Sequence, residues 1–346
     1  MVGLKRPALD CRHCVSFEKQ SVITVGVTKL NIRTWITLAF LLPSNALADP
    51  IQSVQYLVDG NSAEVSTTGH KTTKDTPFAI ASIGKTMTAV AVLRLADRNL
   101  ISLDALASRW LPVETSSGLG GLEGISVRHL LTMTSGLADY LSDEYVDDAL
   151  DDPDQVQNAL TALTYAYGEP HVFNVGAGFD YSNTNYVLLG VILERATGNA
   201  YADVIEAEVF APSGMSDSFV FGSTDLPANF PNGHEDGQHY RDYYQSQGFG
   251  DGGVISTAPD LAAFYEALFI DQSLLTDASL QDMLTDPIGE GYGMGIEIEE
   301  GLIGHSGGDL GFASDVRMDP DVGSIAIIFS ADADADANWT FDQLPD

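Results

Sequence analysis

Two serines in this chain have neighbours that could turn a hydroxyl into a nucleophile. In Ala81-Ser82-Ile83-Gly84-Lys85-Thr86 a serine and a lysine stand three residues apart, which on a helix puts both on one face. A serine hydroxyl attacks poorly until a neighbour takes its proton, and a lysine withdrawn from water surrenders its charge more readily than one in solvent. At the start of a helix, backbone N–H groups also point toward the pair. Tyr181-Ser182-Asn183 adds a phenol able to pass a proton and an amide able to hold a substrate carbonyl or the lysine. The other serine lies in Gly304-His305-Ser306-Gly307-Gly308, which fits the G-x-S-x-G pattern of a nucleophile elbow. Such an elbow needs an acid and then a histidine later in the chain, and no histidine follows His305. A trypsin-like arrangement would accept upstream partners but needs an all-β scaffold. Ser82 remains as the other candidate nucleophile, on a motif that is weak by itself.

Taken singly, each motif has a plain structural explanation. A second S-x-x-K, Ser16-Phe-Glu-Lys19, sits near the N-terminus. Ser82 could cap a helix beside a lysine that reaches for solvent, Tyr181 could fill a core, and Asn183 could cap the helix beginning at Thr184. Against this, Lys85 is the last lysine of the chain and stands in an otherwise apolar segment. Ile83, Met87, Val90, Val92, Leu93 and Leu95 cover most sides of a helix from Ser82 to about Asn99, predicting an element buried all round.

The elements that must position these residues follow from pattern. Ile51 to Val58 and Ala63 to Thr68 flank Asp59-Gly60-Asn61 and predict a β-hairpin. Helices are expected at Val127 to Thr134, Thr184 to Thr197 closed by Gly198, Tyr201 to Phe210 ahead of Pro212, and Ala258 to Phe269. Strands are expected at Met294 to Glu299, Leu302 to His305, Phe312 to Met318 and Ser324 to Ser330. Strands at both chain ends with helices between them predict an α/β fold: an antiparallel sheet built from both ends, flanked by helices, with an inserted mainly helical region at about 106–250. The acidic run from Asp143 to Asp154 predicts a solvated helix and loop, and Ala331 to Ala337 a polar terminus, since a calcium loop's Gly and Glu are missing there. Tyr240, Tyr243, Tyr244 and Phe249 could wall an acyl pocket, with packing the expected role.

The 346 residues carry a net charge of −33. Such a field repels nucleic acid and anionic lipid and suits a salty exported setting. Arg33 to Ala48 has a basic start, a short apolar run and an A-x-A ending, predicting a secretory leader over residues 1–48 and a periplasmic or secreted catalytic domain over 49–346. Val27 is a candidate true start, which would leave residues 1–26 untranslated. The apolar run is too short to span a bilayer. Both cysteines, Cys11 and Cys14, fall in the leader and leave no thiol chemistry for the rest of the chain.

Ser82-x-x-Lys85, Tyr181-x-Asn183 and His305-Ser306-Gly307, in that order, resemble the serine β-lactamase and penicillin-binding superfamily, in its class C branch. Pro77 to Lys85, His129 to Leu137 and Gly252 to Leu261 add supporting phrases over most of residues 51–330. The resemblance implies Ser82 as nucleophile, Lys85 and Tyr181 as the proton-relaying pair, and Asn183, His305, Ser306 and Gly307 as substrate-binding residues. Backbone N–H groups of Ser82 and Gly308 would form the oxyanion hole. It places the third motif on a strand edging the cleft, so that GHSGG lines the substrate and does not attack it. No metal or organic cofactor is implied, and the partner is a small peptide or ester substrate. The activity implied is D-alanyl-D-alanine carboxypeptidase-like, with a carboxylesterase of β-lactamase fold as the alternative. A class C-like β-lactamase or a non-catalytic peptidoglycan-binding protein stands further off. Histidine where many relatives carry lysine speaks against efficient β-lactam hydrolysis.

Overall fold

At Gly60 the backbone turns through φ +57, a conformation glycine adopts without steric cost. The chain therefore folds back on itself, and Ser53–Asp59 (β1) pairs antiparallel with Ser62–Thr68 (β2). The computed structural model describes residues 51–60, 62–152, 158–335 and 339–344. The leader with Cys11 and Cys14, the turn residue Asn61 and part of the acidic run lie outside the described residues.

The remaining strands are β3 Phe78–Ala79, β4 Phe219–Val220, β5 His234–Glu235, β6 Gln238–His239, β7 Val254–Ser256, β8 Glu297–Glu299, β9 Leu302–Asp309, β10 Phe312–Met318 and β11 Ile325–Ser330. Six of them form the main sheet in the order β2-β1-β11-β10-β9-β8, antiparallel at every step. The expected sheet from both chain ends is thus present: β1 sits beside β11, with Ser53 opposite Ser330. Side chains alternate faces along a strand, and every residue of β10 and β11 is buried, so both faces of the sheet centre are covered. One face joins the main core through Ile325, Ile327 and Phe329. On the other, Leu302 and Ala326 pack with Leu344 and Phe341, carried by the short helix Trp339–Gln343 and the residue after it.

Between β3 and β7 the chain is mainly helical. Gly84–Asp97 is buried on nearly every side, as its apolar composition requires, and Asn183–Thr197 packs against it. The latter ends at Gly198 in the left-handed region. The acidic segment forms the helix Asp143–Asp151, which buries Tyr145 and Ala149 and exposes most of its carboxylates. Several boundaries differ from expectation: the helix expected to run to Thr134 ends at Leu131, and the strand expected from Met294 begins at Glu297. The helix starting at Tyr201 passes through a π turn at Glu206–Phe210 and continues to Ser213, with Pro212 in the first turn of the last segment, where its missing N–H costs little. The strand expected to end at His305 runs on to Asp309, because pairing with β10 outweighs the poor strand propensity of the two glycines. Tyr244 is fully buried against Phe221, Phe230 and Phe312, a packing role. Among the described residues no helix is long and apolar enough to cross a membrane.

Candidate active site

Ser82 lies in a single 3-10 turn, Ala81–Ile83, that leads directly into the Gly84–Asp97 helix. Ala81 is held at φ +47, a backbone state that L-residues seldom adopt and that persists only where surrounding structure enforces it. The enforcing contacts come from two sides. Ser314 on β10 donates its hydroxyl to the Ile80 carbonyl at 2.9 Å. Gly307 on β9 fits against the same turn so closely that a Cβ there would lie 2.5 Å from the Ile80 oxygen. Only glycine permits that approach.

Lys85 follows one turn later and has no exposed surface. Its amine donates to Ser82 Oγ at 2.9 Å, to Asn183 Oδ1 at 2.7 Å and to the Asp251 carbonyl oxygen at 2.5 Å. The ammonium also stands 5.0 Å from the Tyr181 ring centroid, a distance at which the ring's negative face attracts a cation. Tyr181 is hydrogen-bonded to Ser82; burial pushes its phenol well above the ordinary range, against the downward pull of that bond. Lys85 and Tyr181 thus converge on the Ser82 hydroxyl, and Asn183, 98 residues beyond Lys85, holds the amine from its other side. Asn183 opens its helix, and its amide is oriented by Asp139, which accepts from Nδ2 at 2.9 Å and from the backbone N at 3.1 Å. That leaves Oδ1 aimed at Lys85.

The third motif divides by strand alternation. His305 is 1% exposed, with its ring centroid 6.2 Å from that of Tyr181 and 5.7 Å from that of Tyr292. Its Nδ1 donates to the Ser306 carbonyl at 2.6 Å and its Nε2 accepts from the Tyr292 hydroxyl at 3.2 Å, which fixes one neutral tautomer. Burial pushes its pKa down to about 4, against the raising effect of Glu297. Ser306 faces outward, and its hydroxyl donates to Glu297 Oε1 at 2.9 Å. Among the described residues no histidine is hydrogen-bonded to that hydroxyl, whose partner is the Glu297 carboxylate. β8 pairs only with Leu302 to Gly304, leaving the β9 edge open beyond. Backbone N–H groups two apart on a strand point to the same side. Since the Ser306 N–H points to that edge, toward Glu297, the Gly308 N–H does too, beside the Ser82 turn.

Several contributors escaped sequence reasoning. Asp251 supplies a carbonyl to Lys85 and a carboxylate to the Tyr140 hydroxyl at 2.8 Å. It lies in Gly248-Phe-Gly-Asp-Gly-Gly253, and the glycines on either side were the available signal. Asp139 and Asp309 complete an acidic surround. Burial pushes each up to about 6, moderated for Asp139 by the donors Leu141 N and Asn183 and for Asp309 by the donor Leu310 N. An ordinary aspartate carboxyl titrates near 3.8, so across the window from about 4 to 6 the folded protein binds a proton that the unfolded chain releases. Stability contributed by that proton is present at low pH and lost as pH rises through 6. Asp309→Asn should accordingly raise the thermal midpoint relative to the parent by several degrees at pH 7 and by little at pH 4, as measured by calorimetry across that range.

A family model described as Beta-lactamase matches residues 51–342. The chain is 30% identical over 266 residues to penicillin-binding protein 4* of Bacillus subtilis, covering 68% of this chain and 56% of that protein. It is 36% identical over 181 residues to esterase EstB of Burkholderia gladioli, covering 49% of this chain and 44% of that protein. The chain therefore spans about half the length of these curated relatives. Among solved structures, a D-stereospecific amidohydrolase from Streptomyces sp. superposes with a TM-score of 0.71 at 26% identity, covering 83% of this chain and 92% of that one.

Proposed function

The chain belongs to the Beta-lactamase family, and from that premise we propose that it is a serine hydrolase that cleaves esters or amides through a covalent acyl-enzyme on Ser82. The observation that carries this reading is the buried Lys85 amine 2.9 Å from Ser82 Oγ, with Tyr181 hydrogen-bonded to the same hydroxyl. With Lys85 as the neutral amine, its bond with Ser82 reverses in direction, and Ser82 Oγ passes its proton to the amine as it attacks the carbonyl carbon. The negative oxygen that develops is received by the Ser82 and Gly308 N–H groups. Tyr181, held as a phenol by burial, passes a proton to the leaving group and is re-protonated through Lys85. Water then attacks the acyl-enzyme with the same relay running backward.

Two finer readings compete. The order of the sequence motifs favours a D-alanyl-D-alanine carboxypeptidase-like activity, and similarity to esterase EstB favours an esterase. The arrangement around Ser306 supports the esterase or amidase side, because the hydroxyl that faces the cleft is already bonded to a carboxylate of the protein. A panel of p-nitrophenyl butyrate, a D-amino acid amide, a D-Ala-D-Ala peptide and nitrocefin tests this. The ester and the amide should turn over at least tenfold faster in kcat/KM than the peptide and nitrocefin. Efficient release of D-alanine from the peptide would reverse the choice.

A further inference from the structure

Three donors converge on the carboxylate of Glu297, with the His305 ring beside them. Ser306 Oγ donates to Oε1 at 2.9 Å and Ser306 N to Oε2 at 3.2 Å. Arg317 Nη2 donates to Oε2 at 2.6 Å, and His305 Nδ1 stands 3.4 Å from Oε1. A hydroxyl, a backbone N–H on a free strand edge and a guanidinium form a donor set suited to a carboxylate of any origin. Here the carboxylate belongs to the chain itself and is 22% exposed at the side chain. Burial would push Glu297 up, but the His305 ring, the Arg317 guanidinium and the bonds from Arg317 and Ser306 outweigh it and hold the group low. Arg317 is the permanent charge of these, since His305 is neutral near pH 7.

Position gives this carboxylate its consequence. Ser306 and Gly308 are two residues apart on one strand, about 7 Å, and Gly308 adjoins the Ser82 turn. An extended substrate whose carbonyl oxygen meets the Gly308 N–H therefore brings the group one residue away to Ser306. An anion arriving there would meet the Glu297 charge at short range and would find the donors already taken.

Resting on the reading of Ser82 as nucleophile, we propose that Glu297 is a specificity-determining residue: it fills a carboxylate-binding nest from within, so that the enzyme accepts esters and amides that are uncharged one residue from the scissile carbonyl and rejects those carrying a carboxylate there. Arg317 is not stranded by loss of this partner, because Asp315 Oδ1 lies 2.8 Å from its Nη2.

Two matched ester pairs test the idea, one on each side of the scissile bond. The first is an N-acyl-D-alanyl ester of D-lactate against the same ester of D-lactamide; the second is the p-nitrophenyl monoester of succinate against that of succinamate. The wild-type protein should prefer the neutral member at least tenfold in kcat/KM in one pair or the other. That preference should shrink as ionic strength rises from about 0.05 to about 0.5 M, since it is electrostatic. Glu297→Gln keeps the side chain's shape and removes its charge. In this variant the preference should fall below threefold or invert, mainly through a lower KM for the anionic ester. A merely structural ion pair would lower activity toward both members equally. Equal use of both members of both pairs by the wild type overturns the proposal, and so does a preference that survives in Glu297→Gln. Should that variant fail to fold, the wild-type preference and its salt dependence still decide. If no ester is turned over and a fluorophosphonate fails to label Ser82, the nucleophile assignment itself is wrong and this proposal falls with it. Labelling with equal use of charged and neutral esters sinks the proposal alone.

Discussion

Ser82→Ala lowers kcat for p-nitrophenyl butyrate by at least about ten-thousand-fold and abolishes labelling by a fluorophosphonate, whereas Ser306→Ala keeps the label on Ser82. The size follows from the loss of a nucleophile whose partners then have nothing to activate; removal of one member of such a unit costs about as much as removal of all. Folding should be unaffected, because Lys85, on losing Ser82 Oγ, keeps the Asn183 Oδ1 and the Asp251 carbonyl as acceptors. Intact-mass spectrometry of the labelled protein, followed by peptide mapping, reads the outcome. A label that moves to Ser306 would mean that the strand, and not the helix, carries the reacting oxygen.

Lys85→Met should be nearly as damaging to turnover, with kcat down on the order of a thousand-fold, the range expected when a proton-transfer partner is lost. Methionine matches the length of the buried stem, so packing is largely kept. The Asn183 Oδ1 and Asp251 carbonyl lose their donor, which costs about 1–3 kcal/mol of stability and should appear as a lower melting temperature. Lys85→Arg separates charge from proton transfer: a guanidinium keeps the positive charge but does not deprotonate in proteins. Arginine should fail to rescue kcat. A variant with arginine that turned over at close to the parental rate would leave Lys85 with an electrostatic role only.

The part of the site that could be read from sequence is the part built by local geometry. A serine and lysine three apart need only one helical turn to meet, and the apolar residues around Lys85 already said that the turn would be buried. The hairpin at Gly60 and the β10 and β11 strands were legible for the same reason: their signals are short-range. Asp139 and Asp251 were not, because each acts on a residue far along the chain, and Glu297 was not, because only the pairing of two strands brings it to Ser306. Asp139 reaches Asn183 across 44 residues and the Asp251 carbonyl reaches Lys85 across 166. The π turns at Glu206–Phe210 and Glu266–Ile270 left no trace either, since periodicity continues through them with a one-residue slip. His305 shows a different limit. Its place in a motif beside the cleft pointed to the substrate, yet strand alternation turned its ring toward Tyr292 and left its neighbour Ser306 outside.

The main sheet is closed by its first and last strands lying side by side, and the turn bearing Ser82 is braced by Ser314, 234 residues further on. During synthesis on the ribosome the nucleophile's segment therefore emerges long before the strands that hold it in its strained shape. Such distant pairing makes acquisition of the native state slow. A nascent chain therefore lacks the brace on the Ser82 turn until β10 has been made.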